Sequence, residues 1–214
     1  MVATYASGGG WITTLDISAD GRWLALGSGG SNDVRLWRLA GDTGEPRGPI
    51  ILSGHGGSVT AVRFGGDGRS LASAATDGSL NLWDLARPGP RATSLRGHDL
   101  SIAVLRFSPE ADPGYLLSWG QGEPARLWRL PDPGADPLVL RAPVGPLIMG
   151  MAVSADGRWI ASSSNGDDRL VLWSTQDLRA PAHMLAMPGF ARSIAFSPDG
   201  RWIAAKSQDQ GIEL

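Results

Sequence analysis

Four tryptophans recur along this chain of 214 residues at an almost constant spacing. They are Trp37, Trp83, Trp128 and Trp173. The intervals are 46, 45 and 45 residues, and each tryptophan ends a short run of alternating apolar residues. A fifth such run, Ile212-Glu213-Leu214, stops one residue before the next expected tryptophan. Because a fixed period of roughly 40–45 residues is typical of four-stranded propeller blades, we predict an all-β propeller of about five repeat units, the last one truncated.

A second motif, Asp-Gly-Arg, repeats with nearly the same period. It begins at Asp20, Asp67, Asp156 and Asp199, and in the third unit the longer segment 109–114 stands in its place. An Asp-Gly pair between two alternating runs is a strong hairpin signal. Each unit is therefore predicted to contain an inner strand a, an Asp-Gly turn, strand b, a polar turn, strand c ending in tryptophan, and a short outer strand d of an antiparallel blade.

The repeats place all units in one domain, residues 1–214. The approximate unit boundaries are 8–53, 54–96, 97–141, 142–187 and 188–214, with residues 1–7 as an outer strand. The predicted a strands are Ile12–Ile17, Val59–Phe64, Ile102–Phe107, Ile148–Val153 and Ala191–Phe196. We expect strand a to be buried on both faces and hence to be the most apolar strand of each unit. No run sustains apolar residues at helical spacing, so we predict no helix.

Composition and charge indicate which partners, covalent cross-links and cellular location to expect. The chain has 19 basic and 21 acidic residues and no block of like charge, so we expect no binding to nucleic acid or to a membrane. It has no cysteine, which excludes disulfides and thiolate metal sites. Residues 1–11 lack the pattern of a secretory signal, and we expect a cytoplasmic protein. Lys206 is the only lysine, a composition that favours a bacterial gene.

The second unit carries a more specific pattern than the others. In order along the chain it contains Gly54-His55, Asp67-Gly68, Leu71-Ala72-Ser73, Asp77-Gly78 and Leu82-Trp83-Asp84. This series resembles a complete repeat of the WD-repeat propeller family, and related patterns extend the resemblance over nearly the whole chain. The units look most like bacterial WD-repeat arrays. Such arrays often form the sensor end of larger signalling proteins, including NTPases and kinases.

The resemblance also implies a hydrogen-bonded tetrad of His, Ser or Thr, Asp and Trp within a blade. In the second unit His55, Ser73, Asp77 and Trp83 match it position by position. A buried indole N–H needs an acceptor, and a carboxylate can hold an imidazole in one tautomer. We therefore interpret this set as structural. The alternative is a catalytic Ser-His-Asp triad, which the neighbouring tryptophan disfavours because its N–H would engage the serine.

The other units depart from the tetrad. The third unit keeps His98, Ser118 and Trp128 but has Gly122 where the aspartate belongs. The fourth unit has Asp167 and Trp173 but Val144 in place of the histidine, and the first has Gly8 and Ser31 at the histidine and aspartate positions. We therefore expect a complete network in the second unit alone. Three further tryptophans, each following a Gly-Arg pair, are expected to pack between blades: Trp23, Trp159 and Trp202.

In this topology the d-to-a and b-to-c loops emerge on one side of the propeller, which we call the loop face. Functional residues concentrate on loops that a rigid scaffold carries. The candidate partner-binding residues on the d-to-a loops are Trp11, Ser58, Ser101, Leu147 and Phe190. On the b-to-c loops they are Asn32, Thr76, Gln121, Asp168 and Gln208. The alternative for each is an ordinary loop residue or, for the large apolar ones, packing in the channel wall.

The sequence contains no constellation that predicts catalysis, a metal or a cofactor. Its three histidines do not cluster with carboxylates at a ligand spacing. The main hypothesis is therefore a non-enzymatic scaffold that binds a protein or peptide on the loop face. One alternative is the sensor segment of a larger signalling protein with an attached NTPase or kinase domain. Another is a propeller hydrolase, although the chain is poor in the polar residues that would line its channel mouth.

The two ends of the repeat pattern are compatible with two arrangements. Residues Val2–Ala6 could add as strand d to the sheet of the last unit and close a five-bladed ring without exposed edges. Alternatively, the five units are an open arc cut from a longer array, because seven blades is the usual number in the family that the chain resembles. We favour the open arc, whose exposed edges should lead to self-association.

Overall fold

The structure, a computed structural model, describes residues 4, 10–39, 48–86, 89–109, 114–120, 122–130, 132–140, 148–165, 168–178, 183–187, 189, 191–207 and 211–213. Within these ranges the secondary-structure elements are nineteen β-strands, which form five antiparallel sheets. Among the same residues no helix has the length and apolar character to cross a membrane. The predicted all-β architecture with about five repeats is confirmed.

Each sheet is a meander in which strands that are consecutive in sequence pair with one another. The first sheet consists of β1 (Ile12–Ile17), β2 (Trp23–Ser28), β3 (Val34–Arg38) and β4 (Ile50–Leu52). The second consists of β5 (Val59–Phe64), β6 (Ser70–Ala75), β7 (Leu80–Asp84) and β8 (Ala92–Leu95). The third consists of β9 (Ile102–Phe107), β10 (Tyr115–Gly120), β11 (Ala125–Arg129) and β12 (Leu138–Leu140).

The fourth sheet consists of β13 (Ile148–Val153), β14 (Trp159–Ser164), β15 (Arg169–Ser174) and β16 (His183–Ala186). The fifth has three strands within the described residues, β17 (Ala191–Phe196), β18 (Ile203–Ser207) and β19 (Gly211–Glu213). The first strand of every sheet has the bounds predicted for strand a. The outer strand predicted from residues 1–7 lies outside the described part of the chain, apart from Thr4.

The Asp-Gly-Arg motif forms the first turn of a unit for two reasons. The backbone of the turn needs a glycine, and the aspartate side chain supplies a hydrogen-bond acceptor. Gly21 and Gly68 have φ of 68° and 63°, a left-handed conformation that is costly for residues with a Cβ. Asp20 Oδ1 accepts the N–H of Arg22 at 3.0 Å, which satisfies a turn donor outside the strand ladder. Hydrogen bonds from the Ser18 hydroxyl and from this N–H lower the pKa of Asp20.

Strand b, and not strand a, is the most buried strand of a unit. In β6 all residues from Leu71 to Ala75 are buried, whereas Thr60 and Arg63 of β5 are only half-buried. The prediction that strand a would be buried on both faces is therefore wrong. Strand b has a hydrogen-bonded strand on each edge, while strand a forms the edge of its sheet. Strand a is consequently the strand whose backbone needs partners from the next unit.

Hydrophobic cores lie between consecutive sheets, as expected of repeats that bury their faces only against their neighbours. Between the first two sheets, Leu36 and Leu52 pack with Val62 and Leu71. Equivalent cores join the second sheet to the third, the third to the fourth, and the fourth to the fifth. Each internal sheet is thereby covered on both faces.

The three tryptophans expected between blades have different surroundings. Trp23 packs against the core between the first and second sheets, in agreement with the prediction. Trp159 lies beside His183 of its own sheet, with 5.8 Å between the ring centroids. Trp202 is exposed. Only the first of the three is thus seen as a wedge between two units.

Side chains of strand a also bond directly to the edge of the next a strand. The three bonds between β1 and β5 are Thr13 Oγ1 to the Val59 carbonyl (2.6 Å), the Val62 N–H to Thr14 Oγ1 (3.2 Å) and the Phe64 N–H to Asp16 Oδ2 (2.8 Å). Thr60 donates in the same way to the carbonyl of Ile102. These bonds satisfy backbone groups that would otherwise be free at a sheet edge.

Candidate functional site

In the second unit the four predicted tetrad residues lie in one hydrogen-bonded chain, together with an additional member, Ser79. The indole N–H of Trp83 donates to Ser73 Oγ at 2.8 Å, and Ser73 Oγ lies 2.6 Å from His55 Nε2. On the other side of the ring, His55 Nδ1 lies 2.5 Å from Ser79 Oγ, and that hydroxyl donates to Asp77 Oδ1 at 2.6 Å. Asp77 therefore acts on the imidazole through Ser79 instead of contacting it directly.

The available donors and acceptors fix the direction of the hydrogen bonds in this series. Because a carboxylate can only accept, Ser79 gives its single hydroxyl proton to Asp77 and offers only a lone pair to His55 Nδ1, so the unprotonated Nε2 accepts the proton of Ser73. The ring proton is then on Nδ1 and is donated to Ser79. Burial lowers the pKa of His55, which favours this neutral form. Burial raises the pKa of Asp77, but the hydrogen bonds from Ser79 outweigh it and lower the pKa, so the terminal acceptor is a carboxylate.

Removing that carboxylate should destabilise the unit measurably. We expect Asp77→Ala to lower the free energy of unfolding by roughly 1–3 kcal/mol, because Ser79 and the Gly56 N–H lose their acceptor. Asp84→Ala, at the exposed end of β7, should cost clearly less. Urea denaturation of the two variants measures the difference. Equal losses would show that the Asp77 hydrogen bonds do not support the buried chain.

The third unit contains a second complete chain, with Glu123 as its acid. The Trp128 indole N–H donates to Ser118 Oγ at 2.8 Å, and Ser118 Oγ lies 2.7 Å from His98 Nε2. His98 Nδ1 lies 2.6 Å from Glu123 Oε2. The prediction of a complete network in the second unit alone is therefore wrong.

Two compensating changes explain how a glutamate serves here. Gly122 stands at the aspartate position with φ of 81°, and the acid follows one residue later on a side chain that is one methylene longer. Pro124 precedes β11 where Ser79 precedes β7, so no hydroxyl intervenes and the glutamate contacts the imidazole directly. The signal available in the sequence was an acid directly beside the missing position, followed by a residue without a hydroxyl.

Arg126 adds a cation to the third-unit chain. Its Nη1 lies 3.3 Å from Glu123 Oε2, and the second carboxylate oxygen accepts the Asp99 N–H at 2.9 Å. Burial raises the pKa of Glu123, but the hydrogen bonds from Asp99 and His98 outweigh it and lower the pKa. Burial lowers the pKa of His98. Arg126 Nη1 also lies 2.6 Å from His98 Nδ1, so the carboxylate, the imidazole and the guanidinium are in mutual contact, and the buried negative charge has a cationic partner.

The remaining units keep only part of the pattern. In the fourth unit the Trp173 indole N–H donates to Ser162 Oγ at 2.9 Å. In the first unit Leu26 replaces the serine at the equivalent register position of strand b. Of the other residues predicted at tetrad positions of these units, Ser31 accepts the Asp33 N–H on its Oγ at 3.3 Å, and Gly8, Val144 and Asp167 lie outside the described residues. Within the described residues, the hydrogen-bonded chain from tryptophan to acid is therefore complete in the second and third units.

The burial of the two serines argues against a catalytic role for either hydrogen-bonded series. Ser73 and Ser118 are fully buried, and each accepts an indole N–H. A nucleophilic hydroxyl has to approach a substrate atom directly, and neither serine can do so in this fold. In the described part of the chain, no group of three or more His, Asp or Glu side chains could hold a metal ion.

Six of the ten candidate partner-binding residues lie in the described parts of the chain. Those with exposed side chains are Trp11, Asn32, Thr76 and Asp168. Ser58 and Ser101 are half-buried. The four outside the described residues are Leu147, Phe190, Gln121 and Gln208, for which the predicted role stays a prediction.

The loops of the first two units meet around Trp11. The Gly29 N–H donates to the Trp11 carbonyl at 2.9 Å, and a Cβ on Gly29 would lie 2.4 Å from the indole, so the ring packs on bare backbone. The Gly30 N–H donates to Ser58 Oγ at 3.2 Å, and the Ser58 carbonyl accepts the Thr76 N–H at 3.0 Å. Trp11, Ser58 and Thr76 therefore belong to one contiguous surface, in which the indole is 73% exposed.

One apolar residue of the d-to-a loops was missed by the sequence prediction. Leu100 precedes the predicted Ser101 and is 51% exposed. Its Cδ1 lies 3.2 Å from where a Cβ on Gly122 would stand, so it rests on the glycine of the neighbouring b-to-c loop. Trp11 and Leu100 are thus two exposed apolar side chains that each pack over a glycine. The glycine in the facing loop is the sequence signal that could have identified both.

Comparison with known proteins agrees with the fold and the blade geometry. The family model described as "WD domain, G-beta repeat" matches residues 2–38, 49–84, 138–174 and 182–214. The chain belongs to the WD-repeat family. The third unit lies almost entirely outside the matched ranges, and it is the unit in which Glu123 takes the place of the aspartate.

Several curated proteins are similar to this chain over part of their length. Target of rapamycin complex subunit wat1 of Schizosaccharomyces pombe is 27% identical over 72% of this chain and 46% of its own length. Nuclear distribution protein nudF of Aspergillus niger is 28% identical over 68% of this chain and 32% of its own length. Nuclear distribution protein PAC1 of Arthroderma benhamiae is 33% identical over 55% and 26%. The chain thus spans less than half the length of these curated relatives.

Proposed function

We propose that this chain is a non-enzymatic scaffold that binds a protein or peptide through the loop face around Trp11. The observation that carries the proposal is the 73% exposed indole, which is held on the backbone of Gly29. An aromatic side chain that is rigid before binding loses little conformational entropy in a complex, and aromatic residues dominate interface hot spots. The name of one relative, a complex subunit, supports a role in protein assembly.

The surroundings of Trp11 fit a polypeptide ligand. Asn32 and Thr76 are exposed and Ser58 is half-buried, so the indole has neutral hydrogen-bonding groups around it. An apolar centre with a polar rim is the usual anatomy of a protein interface. The absence of a charge cluster among these residues favours a neutral or weakly charged segment over a polyanion.

The binding test starts from peptides selected on the immobilised chain from a phage-displayed peptide library. Trp11→Ala is expected to raise the Kd of a selected peptide at least about thirtyfold, as for a hot-spot residue worth about 2 kcal/mol. The melting temperature should change little, because the ring covers only a glycine at the surface. Isothermal titration calorimetry and thermal unfolding measure the two quantities.

The matched control is Ile51→Ala, which removes an exposed apolar side chain from the outer strand β4. It should leave the Kd within about twofold. Loss of binding in Ile51→Ala with binding intact in Trp11→Ala would place the ligand on the outer strands and refute the proposal. A large fall in melting temperature for Trp11→Ala, with binding unchanged in the folded fraction, would assign the indole to packing alone.

A second candidate is that the chain is the sensor segment of a larger cytoplasmic signalling protein, with an NTPase or kinase domain attached. The observation that favours it is the length comparison, since the relatives named above are all more than twice as long as the matched part. The arginine-rich composition favours a bacterial member of the family. Sequencing of the complete open reading frame tests it, and a frame that encodes this propeller alone would contradict it.

A further inference from the structure

The first unit has an uncovered apolar face. On β1, Ile12, Leu15 and Ile17 are 48%, 55% and 53% exposed. Behind them, Leu24, Leu26 and Trp37 form a buried cluster, which among the described residues contains first-unit side chains alone. An exposed apolar surface of this extent on one side of a sheet is unusual for an isolated soluble domain. We call the three exposed residues, Ile12, Leu15 and Ile17, the first-unit face.

The same positions are covered in the units that follow. The register of strands a and b makes Val59, Val62 and Phe64 of β5 the equivalents of Ile12, Leu15 and Ile17. All three are buried, in a core shared with the preceding unit. Leu105 of the third unit, the equivalent of Leu15, is 1% exposed in the next such core. The first-unit face is therefore half of an interface that the molecule forms repeatedly within itself.

The fifth unit presents features of the other half. Trp202 follows Gly-Arg as Trp23 does, but Trp23 packs against the following unit whereas Trp202 is 62% exposed. Ser193 occupies the register position of Thr14, whose hydroxyl accepts a backbone N–H of the next a strand. Ser193 is likewise exposed. In the first unit, Trp23 and Thr14 contact the second unit. The fifth unit thus has an exposed tryptophan and an exposed serine at the two equivalent positions.

We propose that the fifth unit of one molecule docks on the first-unit face of a second copy of this chain. The contact continues the interface that already joins neighbouring units, with Trp202 against the apolar face and Ser193 accepting the Leu15 N–H. Because the two surfaces differ, the association is head-to-tail, and each added copy leaves one free face of each kind. The apolar area of Ile12, Leu15 and Ile17 is the driving force.

The test uses the full chain in analytical ultracentrifugation between about 1 and 100 μM. The wild type is expected to show a mass that rises with concentration. Leu15→Asp and Trp202→Asp should each raise the apparent Kd of association at least tenfold, because a buried unpaired carboxylate opposes docking. Leu100→Asp is the matched control, since Leu100 is equally exposed but lies outside both faces, and it should associate like the wild type. Circular dichroism confirms that the variants are folded.

Mixing the two variants gives the sharper result. Leu15→Asp keeps an intact fifth unit and Trp202→Asp keeps an intact first-unit face, so an equimolar mixture should form a discrete one-to-one dimer that grows no further. Should Leu15→Asp fail to fold, Ile17→Ser replaces it in the same mixture. A monomeric wild type at 100 μM overturns the proposal. So does association that survives Trp202→Asp, which would mean a symmetric contact between two first-unit faces.

Discussion

Glu123→Ala is expected to lower the free energy of unfolding by roughly 3–5 kcal/mol, the usual cost of breaking a buried charged pair. The substitution removes the acceptor of His98 Nδ1 and of the Asp99 N–H, and it leaves Arg126 beside an apolar methyl group. The effect should exceed that of Asp77→Ala, because Asp77 is exposed and reaches its histidine through Ser79. Urea denaturation at neutral pH measures both changes.

Two controls separate the charge from the bulk of the Glu123 side chain. Glu123→Gln keeps the length of the side chain and can still accept a hydrogen bond, so it should cost less than the alanine variant. Asp136→Ala removes an exposed acid of the same unit and should change the stability by less than about 0.5 kcal/mol. If Glu123→Ala behaved like Asp136→Ala, the His98–Glu123 contact would carry no stability, and the second complete network would have to be abandoned.

Leu105→Ala is expected to lower the free energy of unfolding by roughly 2–5 kcal/mol, because it opens a cavity in the core between the second and third sheets. Leu15 is the same residue type at the equivalent position of the first unit, but its side chain is 55% exposed whereas that of Leu105 is 1% exposed. Leu15→Ala should therefore cost less than about 1 kcal/mol when the protein is dilute. Urea denaturation below 1 μM protein compares the two.

The pair is informative because residue type, strand position and register are matched. The two leucines differ in the burial of their side chains. Equal losses at low concentration would show that the first-unit face is already buried within a single molecule, for example by ring closure. A loss for Leu15→Ala that appears only as the protein concentration rises would instead reflect a contribution to association.

The turns and strand bounds were predictable from the sequence because their causes are local. Alternation of apolar residues marks a strand, and the Asp-Gly pair marks the turn that follows it, so the a strands begin and end where the pattern predicts. The resemblance to the WD-repeat family supplied His55, Ser73 and Trp83, and the pairing of β6 with β7 places Ser73 and Trp83 within hydrogen-bonding distance. Asp77 was placed in the correct loop, but the route from it to the imidazole was not predicted.

Glu123 was missed because a hydrogen bond depends on where atoms lie in space and not on whether two residues occupy equivalent positions of the repeats. Gly122 occupies the position equivalent to Asp77, so a comparison of the repeats indicates that the third unit has lost the acid. The left-handed turn at Gly122 and the longer side chain of Glu123 bring a carboxylate to His98 from the next residue. Such a compensation is visible only when the backbone of the turn and the place of the imidazole are both known.

The period of the tryptophans and the Asp-Gly-Arg turns determined by themselves that this chain folds as about five antiparallel β units of the WD-repeat family. Those features are short-range, and every unit repeats them. Burial is different, since it depends on which sheet lies against which. Leu15 and Leu105 are indistinguishable in pattern, yet only the tertiary structure shows one exposed and the other enclosed. The same non-local packing decided that strand b is the most buried strand of the first four units and that Trp11 is exposed on the loop face.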